Sequence, residues 1–168
     1  MTMNVSENMT GQPAMAPAFA LPAKWQAGLV WFQALAMLGL RIALGLPFIR
    51  SGLNKWDGFL SLSPSTYYLF ENEFKLHIFG GAYPFPVPDV MAFLSGMGEV
   101  IFPILLFVGL ATRFAALGIL GMAMIIQLTY PSHWLSEALP WSMMALVIMS
   151  YGPGRIALDR FVAKLFAR

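Results

Sequence analysis

The sequence predicts an all-α membrane protein: an antiparallel four-helix transmembrane bundle, with an amphipathic helix in its outer connection and a basic amphipathic helix at its C-terminus. Three observations predict it. Of 168 residues, 58% are hydrophobic and 11% charged, and the mean hydropathy is +0.69, a balance foreign to a soluble domain. Apolar runs near or above the ~20 residues of a spanning helix recur along the chain. Proline, glycine and polar residues punctuate those runs where a bilayer-crossing chain must turn.

Residues 1–24 read as a flexible tail, because Pro13, Pro17 and Pro22 forbid a continuous helix. The tail has no Lys or Arg before Lys24 and so lacks the charged front of a secretory signal. Met3, Met9 and Met15 recur every six residues, and thioethers can hold Cu(I), although a tail that simply contains methionine is the plainer reading. Residues 25–168 form a single membrane domain, with spans at about 26–53, 89–110, 113–130 and 138–151. The first span is interrupted by Arg41 and Arg50, and Pro47 should kink its outer end.

The connection from Asn54 to Pro88 is too polar to cross. Ser63-Pro64 is a good helix start, and Tyr67, Phe70, Phe74 and Ile78 then fall at helical spacing, which predicts an amphipathic helix ending at Gly80-Gly81. Tyr83 to Pro88 returns the chain in extended form. Ala111-Thr112-Arg113 turns tightly into the third span, which Pro131 stops, and Gly152-Pro153-Gly154 breaks the short fourth. In the last segment Arg160, Lys164 and Arg168 form a basic row opposite Leu158, Phe161, Val162, Leu165 and Phe166, as in a helix lying among anionic headgroups. An inner side holding both termini collects six Lys and Arg (Lys24, Arg113, Arg155, Arg160, Lys164, Arg168) against Lys55 and Lys75 outside. This bias places the protein in the cell inner membrane with both ends cytoplasmic.

Glu99 stands near the middle of the second span. An ionised carboxylate there costs at least ~2.5 kcal/mol on insertion scales, so it calls for a partner. Arg41, at nearly the same depth in the first span, is the expected one, with Ser95, Gly96, Pro103 and Gly45 letting the two helices approach. Such a pair either holds two helices in register or borders a polar cavity for a proton or a quinone headgroup. Gln127 is the one strongly polar interior residue of the third span, and with Ser95, Arg50 and Lys55 it completes the candidate polar set. Arg50, Lys55 and Asp57 cluster at the outer mouth and also suit snorkelling anchors. His77 and His133 share the outer side with Glu137 and the surface-helix carboxylates, but without the tight spacing of metal ligands, so separate surface histidines are favoured. The absence of cysteine rules out thiolate-held clusters, disulfides and thiol catalysis. With both histidines outside the apolar runs, the chain builds no redox centre of its own. The mild net charge of +2, gathered mostly at the C-terminus, points to a membrane surface and not to nucleic acid.

Three segments give the sequence its likeness. Arg41 to Asp57, RIALGLPFIRSGLNKWD, carries Arg-x-x-x-Gly and then Gly52-x-x-Lys55; Gly98 to Arg113, GEVIFPILLFVGLATR, carries Gly-x-Glu-like and Gly-Leu-x-Thr-Arg elements; and Gly152 to Asp159 reads GPGRIALD. Each is weak alone, but in this order and spacing they resemble the DoxX family of small four-helix membrane proteins. Ala157, where relatives often have Ser, and the long outer connection depart from the pattern. The resemblance implies a membrane subunit, as in thiosulfate:quinone oxidoreductase, or a companion of redox-stress proteins. The long insertion looks like that of relatives encoded beside multinuclear iron enzymes acting on copper-binding peptides. The leading expectation is therefore a non-catalytic or quinone-side subunit working with a protein partner. The alternatives are a copper-handling or permease-like partner using outer His, Glu and Met residues, and a purely structural anchor; self-association is left open.

Overall fold

The computed structural model describes residues 22–166, so the tail methionines and Arg168 lie outside the described residues. The chain is mostly helical. Helix α1 (Ala23–Leu53) begins after Pro22 and is followed by a small cap. The cap comprises β1 (Trp56–Gly58), β2 (Ser61–Leu62), α2 (Pro64–Tyr68) prolonged by a π-helical turn Leu69–Glu73, β3 (Lys75–Ile78) and β4 (Gly81–Pro84). Then come α3 (Pro88–Val108), α4 (Thr112–Thr129), a 3-10 turn Pro131–His133, a π-helical turn Trp134–Ala138, α5 (Leu139–Tyr151) and α6 (Leu158–Phe166). Helices α1, α3 and α4 are long and apolar enough to cross a membrane. Helix α5 has only 13 residues and follows directly on the π-helical turn Trp134–Ala138.

Each long helix buries one stripe. On α1 it is Ala34, Arg41, Leu44, Gly45, Phe48 and Gly52, at the three-to-four-residue spacing of one helix face. Small residues dominate the facing stripes, Ala92 and Gly96 on α3 and Ala115, Ala116 and Ala123 on α4. Between apolar helices in lipid, close backbone approach and dispersion contacts drive association, and small residues permit both. Helix α1 packs on α3 and α5, and α4 on α3 and α5, around a core of Leu44, Phe48, Leu106, Ile119 and Ile148. A second core under the cap joins Leu62, Phe70, Phe85 and Ala92.

The cap corrects the expected helix to Ile78. Its start is as predicted, with Ser63 Oγ accepting from the Thr66 amide at 3.3 Å and Pro64 at the first helical position. The helical stretch ends at Glu73, early enough that Phe70 and Phe74 still meet edge to face at 5.0 Å. Ile78 belongs instead to a hairpin in which Lys75 pairs with Pro84 and Ile78 with Gly81. Exposure alternates along Lys75–Ile78, the period of a strand with one covered face. Phe79 and Gly80 both have positive φ, as a two-residue hairpin turn of the type I′ family requires.

Candidate functional site

The site begins where α1 stops. Beside Leu53, Gly52 lies so close to α3 that a Cβ there would fall 2.9 Å from the Glu99 backbone carbon, so only glycine lets the helices meet at this level. The chain then bends, and Lys55 reaches back to Glu99, with Nζ–Oε2 at 2.5 Å. Lys55 also donates to Ser51 Oγ at 3.0 Å, and Ser95 Oγ donates to the other Glu99 oxygen at 3.1 Å. Side-chain exposure is 6% for Glu99 and 15% for Lys55, so the pair is largely withdrawn from its surroundings. Trp56 roofs it, lying against Gly96 and edge to face with Phe93 at 5.5 Å.

Arg41 belongs to a different cluster. Contacts between α1 and α3 run in opposite senses: Gly52 meets Glu99, Gly45 meets Pro103 and Phe107, and Arg41 meets Gly109. The eleven residues from Arg41 to Gly52 put ~16 Å of helix axis between the two levels. The expected Arg41–Glu99 ion pair is therefore corrected. Arg41 instead donates to the Ile156 carbonyl and feels the charge of Asp159. It is 1% exposed, and its Nε and a second terminal nitrogen have no hydrogen-bond partner. Gly109, at φ +74, leaves the room for it.

Asp159 was not singled out as a site residue, yet it organises this end. Its two carboxylate oxygens accept from the Ala111 amide at 2.7 Å and the Thr112 amide at 2.9 Å, and its own amide donates to the Gly109 carbonyl at 2.9 Å. Helix α4 starts after Ala111, which has no capping side chain, so a carboxylate from 47 residues downstream satisfies amides exposed at the helix start. The missing local cap was the available signal.

The remaining candidates are dispersed. Arg50 is exposed near the end of α1, and because that helix ends at Leu53, Arg50 and Asp57 do not share a continued helical face. Gln127 donates to the Pro131 carbonyl at 3.2 Å, at the far end of α4. His77 Nδ1 lies 3.1 Å from the Leu128 carbonyl, while His133 stacks on Tyr130 and sits 3.9 Å from Glu137. Burial, with the charge of Glu73, pushes the Tyr130 hydroxyl above the usual tyrosine range. Among the described residues no three His, Asp or Glu side chains gather as metal ligands would.

The model of the DoxX family matches residues 36–132, more than half of the chain. The chain belongs to the DoxX family. It is 27% identical over 149 residues to an uncharacterized protein of Haemophilus influenzae, covering 80% of this chain and 87% of the relative. No solved structure matches it. The stretch matched to the DoxX model contains Arg41, Lys55, Glu99 and Gly109–Arg113 but stops before Gly152–Asp159. In this DoxX protein the later segment folds back onto the matched one through Ile156 and Asp159. The motif residues thus meet at two places ~16 Å apart, Gly52, Lys55 and Glu99 at one and Arg41, Gly109 and Asp159 at the other.

Proposed function

We propose that this DoxX protein is a non-catalytic membrane subunit of a quinone-linked or redox-stress assembly, and that Lys55 and Glu99 form its polar site within the bilayer. The observation that carries this reading is the withdrawal of the pair, with Glu99 6% and Lys55 15% exposed. Glu99 lies midway along α3, a helix long and apolar enough to cross a membrane, at the level where α1 ends beneath the cap. Ionisable groups within apolar spans are costly, and proton or substrate pathways are among the roles that retain them. The residues fit a quinone carbonyl. Lys55 has three N–H donors, of which Ser51 and Glu99 occupy two, leaving one for an incoming oxygen. A bound quinone would supply an acceptor for electrons and protons; the protein would orient its headgroup through Lys55 and hold a proton at Glu99.

The proposed arrangement is an antiparallel four-helix transmembrane bundle in the cell inner membrane, the cap outside and both termini cytoplasmic. Its support is the gathering of Arg113 at the start of α4, Arg155 on the turn after α5, and Arg160 and Lys164 on α6. A fluorescent-protein fusion at the C-terminus should glow, and an alkaline phosphatase fusion there should be inactive.

One other reading has an observation in its favour. Ser95, Lys55 and Gly52 seat Glu99, and Ser51 holds Lys55 in place, as they would in a purely structural anchor. Titration of the detergent-purified full chain with a short-tailed benzoquinone separates the two. Saturable binding that weakens at least tenfold in Glu99→Gln, with the melting midpoint kept within a few degrees, supports the quinone site. No binding by the wild type, with Glu99→Gln lowering only the melting midpoint, leaves the anchor.

A further inference from the structure

At the Arg41 end, α1 continues for a further eighteen residues beyond the level of Gly109, and the chain after α5 folds against it. Gly154, at φ +78, turns that chain so tightly that a Cβ there would lie 3.1 Å from Met37. Between them is an open groove of about 560 Å³, within the ~300–1,000 Å³ of ligand pockets. Its wall is mostly apolar, with Val30, Ala34, Met37 and Val147 beside a single amide, Gln33, and its rim carries Arg155 and Arg160. No lining residue is acidic. The nearest carboxylate on α6, Asp159, is engaged by the α4 amides. Arg113 lies outside the groove, its guanidinium beside Gly152.

We infer that this groove is a specific site for an anionic phospholipid, with the phosphate between Arg155 and Arg160 and one acyl chain along Val30, Ala34, Met37 and Val147. Charge complementarity selects the occupant. An apolar trough alone would take any acyl chain, but two exposed guanidiniums at its mouth, in a protein already in the bilayer, favour a lipid with net negative charge, since guanidinium forks match phosphate oxygens. The exposed Trp25, Trp31 and Phe32 on the same half of α1 suit a helix face in contact with lipid and headgroups. The inference does not depend on the Lys55–Glu99 reading, which concerns the other end of the α1–α3 contact.

Native mass spectrometry of the detergent-solubilised full chain tests it, by titration with phosphatidylglycerol and with phosphatidylcholine of the same acyl chains. The expected result is at least fivefold tighter binding of the anionic lipid, abolished in Arg155→Gln/Arg160→Gln. Ala36→Trp, at an exposed position on the groove wall, should weaken both lipids. Lys164→Gln, on α6 but outside the groove, should keep the preference and so guard against a failure of the double variant to fold. Equal binding of the two lipids by the wild type overturns the inference. So does full retention of the preference by the double arginine variant, its loss in Lys164→Gln, or competition by glycerol phosphate as effective as that by the whole lipid.

Discussion

Glu99 is nearly inaccessible and Lys55 mostly covered, so Glu99 cannot lose its partner cheaply. Lys55→Met leaves a buried carboxylate unpaired and should destabilise the chain by ~3–5 kcal/mol, whereas the double variant Lys55→Met/Glu99→Gln should recover most of that loss. Unfolding titrations with a denaturing detergent would read the coupling, and strictly additive losses would show that the two side chains do not act as a pair. Gly52 is the second test at this scale. A methyl group at 2.9 Å from the Glu99 backbone must push the helices apart, so Gly52→Ala should cost ~1–3 kcal/mol, as overpacking does. The sequence demanded a cationic partner for Glu99, and Lys55 is that partner. It could not show that Arg41, nearly matched in depth on the assumption of two full spans, is occupied at the level of Gly109.

At the scale of single elements, two features were legible and one was not. The Ser63-Pro64 start of α2 and the bounds of α3 follow from local capping chemistry and apolar length. The hairpin was hidden because Tyr67, Phe70, Phe74 and Ile78 fit a helix while Lys75 to Ile78 equally fit a strand, and four residues cannot decide a period. Its turn asks for Asn-Gly and has Phe79-Gly80. A bulky side chain in the left-handed region costs ~1–2 kcal/mol, so Phe79→Asn should tighten the turn by up to about that amount and protect residues 75–84 against limited proteolysis. Helix α4 offers the converse case. Asp159→Ala removes a cap from two amides at its start and should cost ~1–2 kcal/mol, with faster hydrogen exchange confined to the first turn of α4.

Across the whole molecule, the C-terminal segment is a clasp although α6 is largely exposed. Ile156 and Asp159 close the Arg41 end, so a chain truncated after Gly154 should leave a buried guanidinium without its carbonyl and α4 without its cap, and should fail to accumulate in membranes. A chain truncated after Val162 keeps both contacts and should accumulate normally; equal loss of the two would refute the clasp. By itself the sequence determined that the chain is a helical membrane protein, roughly where its long helices begin and end, which residues carry its DoxX likeness, and that a mid-span carboxylate needs a cation. All of these follow from hydropathy, capping and motif spacing, which are properties of one segment at a time. Only the tertiary structure decided which cation answers Glu99, because that depends on the axial offset of α1 against α3. The offset is set by close glycine contacts and by a cap that turns Lys55 inward. Hydropathy measures how strongly a residue prefers lipid, and it carries no information about how far one apolar helix slides along another.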